Sequence, residues 1–149
     1  MTEVKFYDTD YNPDSKLTYS VISAVFDRNW IFVRHQDRNT WEIAGGHIED
    51  GESADDAAGR ELKEETGARK FSISCIATYS VTKDNETGWG RLYFARVEEI
   101  GPIPDKSEIA EIKLSCYLPV NLTHPDIQPD LFRKTEEYLR IGAGKKPGK

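Results

Sequence analysis

Hydrophobic positions along this chain recur with two different periods, and the changes of period mark out the elements. Residues 18–26, Thr-Tyr-Ser-Val-Ile-Ser-Ala-Val-Phe, are rich in β-branched and aromatic side chains and predict a strand. Asp27-Arg28-Asn29 is a turn and Trp30 to Arg34 a returning strand, so a hairpin is expected. A second turn, Asp37-Arg38-Asn39, leads into a short extended piece from Trp41 to Ala44; Gly45-Gly46 and Asp50-Gly51 then bracket a loop. From Ser53 the period becomes helical, with Ala54, Ala57, Ala58 and Leu62 in one stripe. Ser53 is the expected N-cap, Asp55 and Asp56 suit the positive end of the helix dipole, and Gly67 is the stop.

Residues 71–81 and Trp89 to Val97 return to period two, separated by a polar loop from Asp84 to Gly88. Gly101-Pro102-Ile103-Pro104 excludes regular structure, and Ile112 to Leu118 is a last strand, ended by Pro119. Residues 129–140 predict a second helix with Leu131, Phe132, Thr135, Tyr138 and Leu139 on one face. Strands interleaved with two helices make an α/β protein with a mixed sheet. One domain is expected over residues 1–141, followed by a disordered polar tail over 142–149.

The first helix carries a conflict. Glu61 with Glu65 and Glu61 with Glu64 are like-charge neighbours at helical spacing, each pair costing roughly 0.2–0.5 kcal/mol. At about 100° per residue, Glu61 and Glu65 fall back on the stripe of small residues, while Asp56, Arg60 and Lys63 lie elsewhere. The glutamates therefore continue the face that packs against the protein. A divalent cation reverses the sign of the repulsion, because hard cations take oxygen ligands. Glu61 and Glu65, one turn apart, can chelate one ion; Glu64 points elsewhere and can reach a second ion or position water.

The order Gly46, five residues, Glu52, seven residues, then Arg60-Glu61-Leu62-Lys63-Glu64-Glu65-Thr66-Gly67 resembles the signature of the Nudix hydrolases, the MutT-like family. Two positions depart from it: Ala68 replaces the usual bulky aliphatic, and Ala44 stands where relatives often carry proline. The resemblance implies the Nudix fold, an α/β/α sandwich with a mixed β-sheet. It implies metal-dependent hydrolysis of a nucleoside diphosphate linked to another group. Mg2+ is the expected cofactor, with Mn2+ as a substitute, held by Glu61, Glu64, Glu65 and the backbone carbonyl of Gly45. Arg60, Glu61 and Glu64 take catalytic parts, with Arg60 orienting a glutamate by charge-assisted hydrogen bonds; Gly46, Glu52, Leu62 and Gly67 are structural. The general base stays open among Glu61, Glu64 and an acid outside the motif, in the segment Ser107 to Glu111.

Composition narrows the partners. A net charge of −6 lacks the basic footprint that a nucleic-acid polymer requires. An acidic site also repels phosphate unless cations intervene, so the acids and an anionic substrate are compatible only through metal. The longest apolar runs are too short to span a bilayer, and MTEVKFYDTD has no basic-then-apolar leader. Two cysteines, Cys75 and Cys116, are too few for a disulfide framework, and each lies in an apolar run that predicts a buried free thiol. These features predict a cytoplasmic protein, a monomer or homodimer, acting on a nucleotide-type small molecule, with no membrane partner.

The organic half of such a substrate needs an apolar platform and cations. Trp89, Tyr93, Trp41 and Tyr79 are candidates for the first, Arg34, Arg91 and Arg96 for the second, and Glu111 for a polar contact; each is also an ordinary core or surface residue by type. His47 reads as surface, and His35 and His124 have no metal-ligand partner at useful spacing. Three readings of function compete. The first is a (d)NTP pyrophosphohydrolase such as an 8-oxo-dGTP diphosphatase. The second is a hydrolase of ADP-ribose, nucleotide sugars or dinucleotide polyphosphates. The third is a non-catalytic nucleotide sensor on the same fold, disfavoured because Arg60, Glu61, Glu64 and Glu65 are all present.

Overall fold

The period-two segments build one seven-stranded sheet, and the two helical segments cover its opposite faces. The computed structural model describes residues 1–144, with side chains through Ile141. The elements run β1 (Thr2–Tyr7), β2 (Tyr19–Phe26), β3 (Asn29–His35), β4 (Glu42–His47), α1 (Ala54–Thr66), β5 (Ala68–Lys83), β6 (Glu86–Ile100), β7 (Ile109–Ser115) and α2 (Gln128–Gly144). Sheet order is β1-β5-β6-β2-β4-β3-β7, with β2 and β6 parallel and the other pairings antiparallel among the described residues. The sheet is mixed, as expected.

Alternation in β2 explains the layers. Ile22 and Ala24 face α1, joining Ala54, Ala58, Leu62, Tyr93, Ala95 and Val97 in one core. Val21 faces the other way and joins Phe32, Ile43, Leu92, Phe94, Leu131 and Phe132 beneath α2. Successive residues of β6 alternate likewise, so Arg91-Tyr93-Ala95-Val97 and Leu92-Phe94-Arg96 lie on different faces. The result is the expected three-layer α/β/α sandwich.

Local signals place α1 closely. Ser53 Oγ accepts from Asp56 N–H at 3.0 Å, and Gly67, at φ 78°, donates its N–H to the Lys63 carbonyl. A Cβ at Gly67 would strike the Gly101 and Pro102 carbonyls, so glycine is required there twice over.

Several boundaries differ from expectation. Thr2–Tyr7 forms an edge strand on β5 that was not anticipated, although Val4 and Phe6 alternate with Glu3 and Lys5. The polar loop from Asp84 to Gly88 is only a two-residue turn: Asp84 and Asn85 take φ 53° and 65°, and pairing resumes at Glu86. Both are left-handed positions, which suits a tight hairpin. Polarity misled because the end of this long ribbon is solvated while still paired.

Gly45 and Gly46 are strand residues of β4, not the bracket of a loop. The last strand is displaced toward the N-terminus, to 109–115, because Ile109 is buried and Tyr117 exposed. Cys116 is exposed and Cys75 half-buried, correcting the expectation of two buried thiols. Helix α2 runs to Gly144, past the expected boundary at 141, and the rest of the proposed tail, 145–149, lies outside the described residues. No helix among the described residues is long and apolar enough to cross a membrane.

Candidate active site

The buried stripe of α1 carries its two carboxylates directly onto β4. Glu65 Oε1 accepts the Gly45 N–H at 3.0 Å, and its side chain is 8% exposed. Glu61 lies against Gly46 so closely that a Cβ there would collide with its carboxylate. The glycine pair therefore serves close approach between strand and helix rather than a turn. A Cβ on Gly45 would come within 2.6 Å of the Ser20 carbonyl as well.

Burial makes these acids unusual. Desolvation is the largest influence on Glu65, raising its pKa from 4.5 to about 8 against the opposing Gly45 hydrogen bond, with Glu61, Glu42 and Glu108 adding repulsion. Glu61 rises to about 7, again mainly through desolvation; Arg60 counters it, while Glu64, Glu108 and Glu49 add to it. Two adjacent acids are thus held where ionisation is unfavourable without a nearby positive charge. That is the donor set a hard dication would satisfy.

Arg60 takes Glu52 as its principal partner. Its Nε and Nη2 donate to Glu52 at 2.7 and 2.9 Å in a bidentate pair, and Nη2 also donates to the His47 carbonyl at 3.0 Å. Glu61 and Glu64 lie further away, at 3.7 and 3.4 Å from Nη1. Arg60 is therefore first a clamp between α1 and the loop after β4, and only second a neighbour of Glu61. Glu52 also accepts the Glu49 N–H, and the two donors hold its carboxyl down at about 2. Leu62 is fully buried under the sheet.

These groups border a cavity of about 690 Å³ between the sheet and the start of α2. Gly45, Gly46, Arg60, Glu61 and Glu65 line it; Glu64, half-exposed beside Arg60, does not. Trp89 and Tyr79 line it too. Tyr93 does not: it is buried on the opposite face, where its hydroxyl donates to Asp55 at 2.6 Å. Arg34 and Glu111 pair with each other at 2.9 Å, away from the cavity wall. Trp41 lies under Lys113, Arg91 ties Thr78 and the Tyr11 carbonyl, and Arg96 sits over Phe94. These side chains suit a nucleotide by residue type, but strand register places them on other faces or against other neighbours.

Register also brought in residues that local spacing did not reveal. His35, on β3, has Nε2 at 3.6 Å from Glu42 and 3.7 Å from Glu65, and Nδ1 at 3.9 Å from Glu108. His47 is exposed, as expected, and also borders the cavity, packing against Tyr19 at 4.5 Å between ring centroids. Gln128 and His124, from the start of α2 and the loop before it, line it as well. Among the described residues no three acid, histidine or cysteine side chains converge tightly enough to form a ready metal cage. The carboxylates instead rest on Gly45 and Arg60.

Several known proteins resemble this chain. The NUDIX domain family model matches residues 16–138. YtkD of Bacillus subtilis (strain 168), provisionally named an 8-oxo-dGTP diphosphatase, is 32% identical over 81% of this chain and 75% of its own. The crystal structure of the Bacillus subtilis pyrophosphohydrolase BsRppH (E68A mutant) superposes with a TM-score of 0.73 at 29% identity, covering 91% of this chain and 90% of that one. A MutT NUDIX hydrolase from Burkholderia pseudomallei shares the fold at 16% identity, with a TM-score of 0.63 over 80% of this chain and 98% of that one. With the family model spanning most of the chain and Glu61 and Glu65 of the motif at one cavity, this protein belongs to the NUDIX family of hydrolases acting on phosphoanhydride bonds.

Proposed function

We propose that this chain is an Mg2+-dependent (d)NTP pyrophosphohydrolase, of the kind that hydrolyses 8-oxo-dGTP to the monophosphate and pyrophosphate. The observation that carries the reading is the pair Glu65, buried, and Glu61, partly buried, held against Gly45 and Gly46 at the wall of a nucleotide-sized cavity. The name of the relative YtkD supports the substrate class.

The family uses divalent metal ions, and the donor chemistry here fits one: oxygen ligands only, with two carboxylates whose charge is penalised until a cation arrives. Glu61, Glu64 and Glu65, with the Gly45 carbonyl, would hold it. Held there, a divalent ion would supply positive charge for the phosphate oxygens and would lower the pKa of an attacking water. The chain's own groups prepare that site. Gly45 N–H fixes one oxygen of Glu65, Arg60 locks the motif loop to α1 through Glu52, and the apolar wall thins water around the phosphoanhydride. Arg60 acts in this account as a positioning residue.

The test is a substrate panel with Mg2+ or Mn2+: NTPs, dNTPs, 8-oxo-dGTP, ADP-ribose, diadenosine polyphosphates and NADH, with phosphate, pyrophosphate and monophosphate all measured. Turnover of triphosphates to monophosphate plus pyrophosphate is expected. Hydrolysis of ADP-ribose or dinucleotides with triphosphates untouched would replace this reading.

A further inference from the structure

The sheet ends in two edge strands, β1 on one side and β7 on the other. The inner side of β7 pairs with β3, from Trp30 with Ser115 to Arg34 with Glu111, and a bulge at Ala110 ends the regular run. Among the described residues no hydrogen bond reaches the outward main-chain N–H and C=O groups between Glu111 and Leu114. Such a row of free donors and acceptors is a template for another strand.

One face of this edge is left uncovered. Ile112 is half-buried against Val33, Ala44 and Ile109, but Leu114, two residues on, is 42% exposed, and Tyr117, just past the strand, is 80% exposed. The other face carries Glu111 and Lys113, which flank Ile112 with opposite charges. Each is engaged by its own chain on one side: Glu111 Oε1 accepts from Arg34 Nε, and Lys113 lies over Trp41. Strand β1 has the same charge order, Glu3-Val4-Lys5, but there Val4 and Phe6 already pack beneath α2, and Glu3 lies 3.9 Å from Lys5 of the same strand. Of the two edge strands, β7 is the one that carries an exposed large apolar side chain.

We propose that this edge is the interface of a homodimer, in which β7 pairs antiparallel with β7 of a second copy around a two-fold axis at Ile112. Paired residues in an antiparallel ladder face the same side of the sheet, so the centre of the pairing fixes every neighbour. A centre at Glu111 or at Lys113 sets like charges directly opposite, which is destabilising. A centre at Ile112 sets Glu111 opposite Lys113 of the partner subunit, and Lys113 opposite the partner's Glu111. On the other face Ile112 meets Ile112 of the partner subunit, and Leu114 lies diagonal to it and is covered. A lysine on an edge strand ordinarily guards against such pairing; with Glu111 two residues away, Lys113 becomes half of a matched pair. The contact is isologous, so it closes at two copies and continues one sheet across both protomers. The bulge keeps the paired run short, which makes the dimer weak and concentration-dependent.

Assembly is independent of the reaction, so its test needs no substrate. Sedimentation equilibrium of the full chain, from about 5 to about 500 μM, should show a monomer–dimer equilibrium. Lys113→Glu sets Glu against Glu twice and should weaken association by about tenfold or more. Combining it with Glu111→Lys exchanges the pairs rather than losing them, and should restore association to within about threefold of wild type. Both positions are exposed, so the fold should tolerate the exchange, which circular dichroism checks. Leu114→Ser should weaken the dimer by about threefold or more through lost apolar cover. Lys5→Glu, the same reversal on the opposite edge, should leave association within about twofold of wild type. Monomer mass at about 500 μM would overturn the proposal, leaving the edge guarded by Lys113 or open to a strand of another protein. A dimer that Lys113→Glu leaves intact, that the exchanged pair fails to restore, or that Lys5→Glu dissolves would overturn it as well.

Discussion

The two helices lie on opposite faces of one sheet and are buried in opposite ways. Helix α2 presents Leu131, Phe132 and Thr135, and the buried hydroxyl among them is satisfied: Thr135 shares a 2.9 Å hydrogen bond with Ser23 of β2 and donates to the Leu131 carbonyl. Helix α1 presents Ala54, Ala58 and Leu62 and then spoils the same face with Glu61 and Glu65. A neutral hydroxyl needs one partner; a buried carboxylate needs a charge. Thr135 is satisfied by what the chain supplies, whereas Glu61 and Glu65 are the groups that a bound cation would complete. That contrast separates the part of the fold that stabilises from the part that works.

The sharpest way to break the comparison is Glu65→Gln. It keeps shape and removes charge, so kcat should fall by at least about 100-fold, as when a major electrostatic contact in the transition state is lost. The melting temperature of the metal-free variant should be unchanged or higher, because helix repulsion and desolvation are relieved. Near-wild-type kcat would take Glu65 out of the site. Leu131→Ala makes the opposite prediction on the opposite helix: stability falls by about 2–5 kcal/mol in denaturant titration. At a temperature where the variant remains folded, the cost to kcat should be far smaller than that of Glu65→Gln.

Arg60→Ala comes next. It removes the bidentate clamp on Glu52, so kcat should drop by about tenfold or more through looser placement of the motif loop. The Kd of a non-hydrolysable analogue should change less. Equal losses in kcat and binding would make Arg60 a substrate contact instead.

The pH dependence of metal-free protein reads the α1 conflict directly. The folded pKa values of Glu61 and Glu65, about 7 and about 8, lie above the value of 4.5 expected for the unfolded chain. The folded state therefore holds protons more tightly, and its stability declines as pH rises from 4.5 through 8. In EDTA the melting temperature should fall by at least about 3 °C between pH 5 and pH 8, and Mg2+ should restore more at pH 8 than at pH 5. Glu65→Gln should flatten that slope; a wild-type melting temperature that rises with pH would contradict the burial of these acids. The smallest effect is expected from Thr135→Val, which leaves Ser23 without its partner and should cost about 1 kcal/mol with no change in kcat.

Much of this arrangement was legible because it is local. The N-cap at Ser53, the stop at Gly67 and the wheel that put Glu61 and Glu65 on the packed face all depend on residues within a few turns of one helix. The hairpin at Asp27-Arg28 and the two-faced alternation of β6 are local too. What stayed hidden depends on partners far away in sequence. His35 gained its acids from β4, α1 and the segment before β7, and Gln128 reached Ile43 across 85 positions. Arg34, Glu111 and Tyr93 were suited to a nucleotide by chemistry alone, yet pairing sent Arg34 to Glu111 and Tyr93 to Asp55. The glycine pair shows both limits at once: its importance was visible, while its purpose, room for Glu61 and for β2, needed the neighbours in place.

By itself, then, the sequence determined both helices, most of the strands, the family and the charged face of α1, since period, capping and motif spacing act over short stretches of chain. Tertiary structure alone decided which side chains share the cavity with those acids. Side chains alternate across a strand, and a one-residue change of register moves a residue to the opposite face.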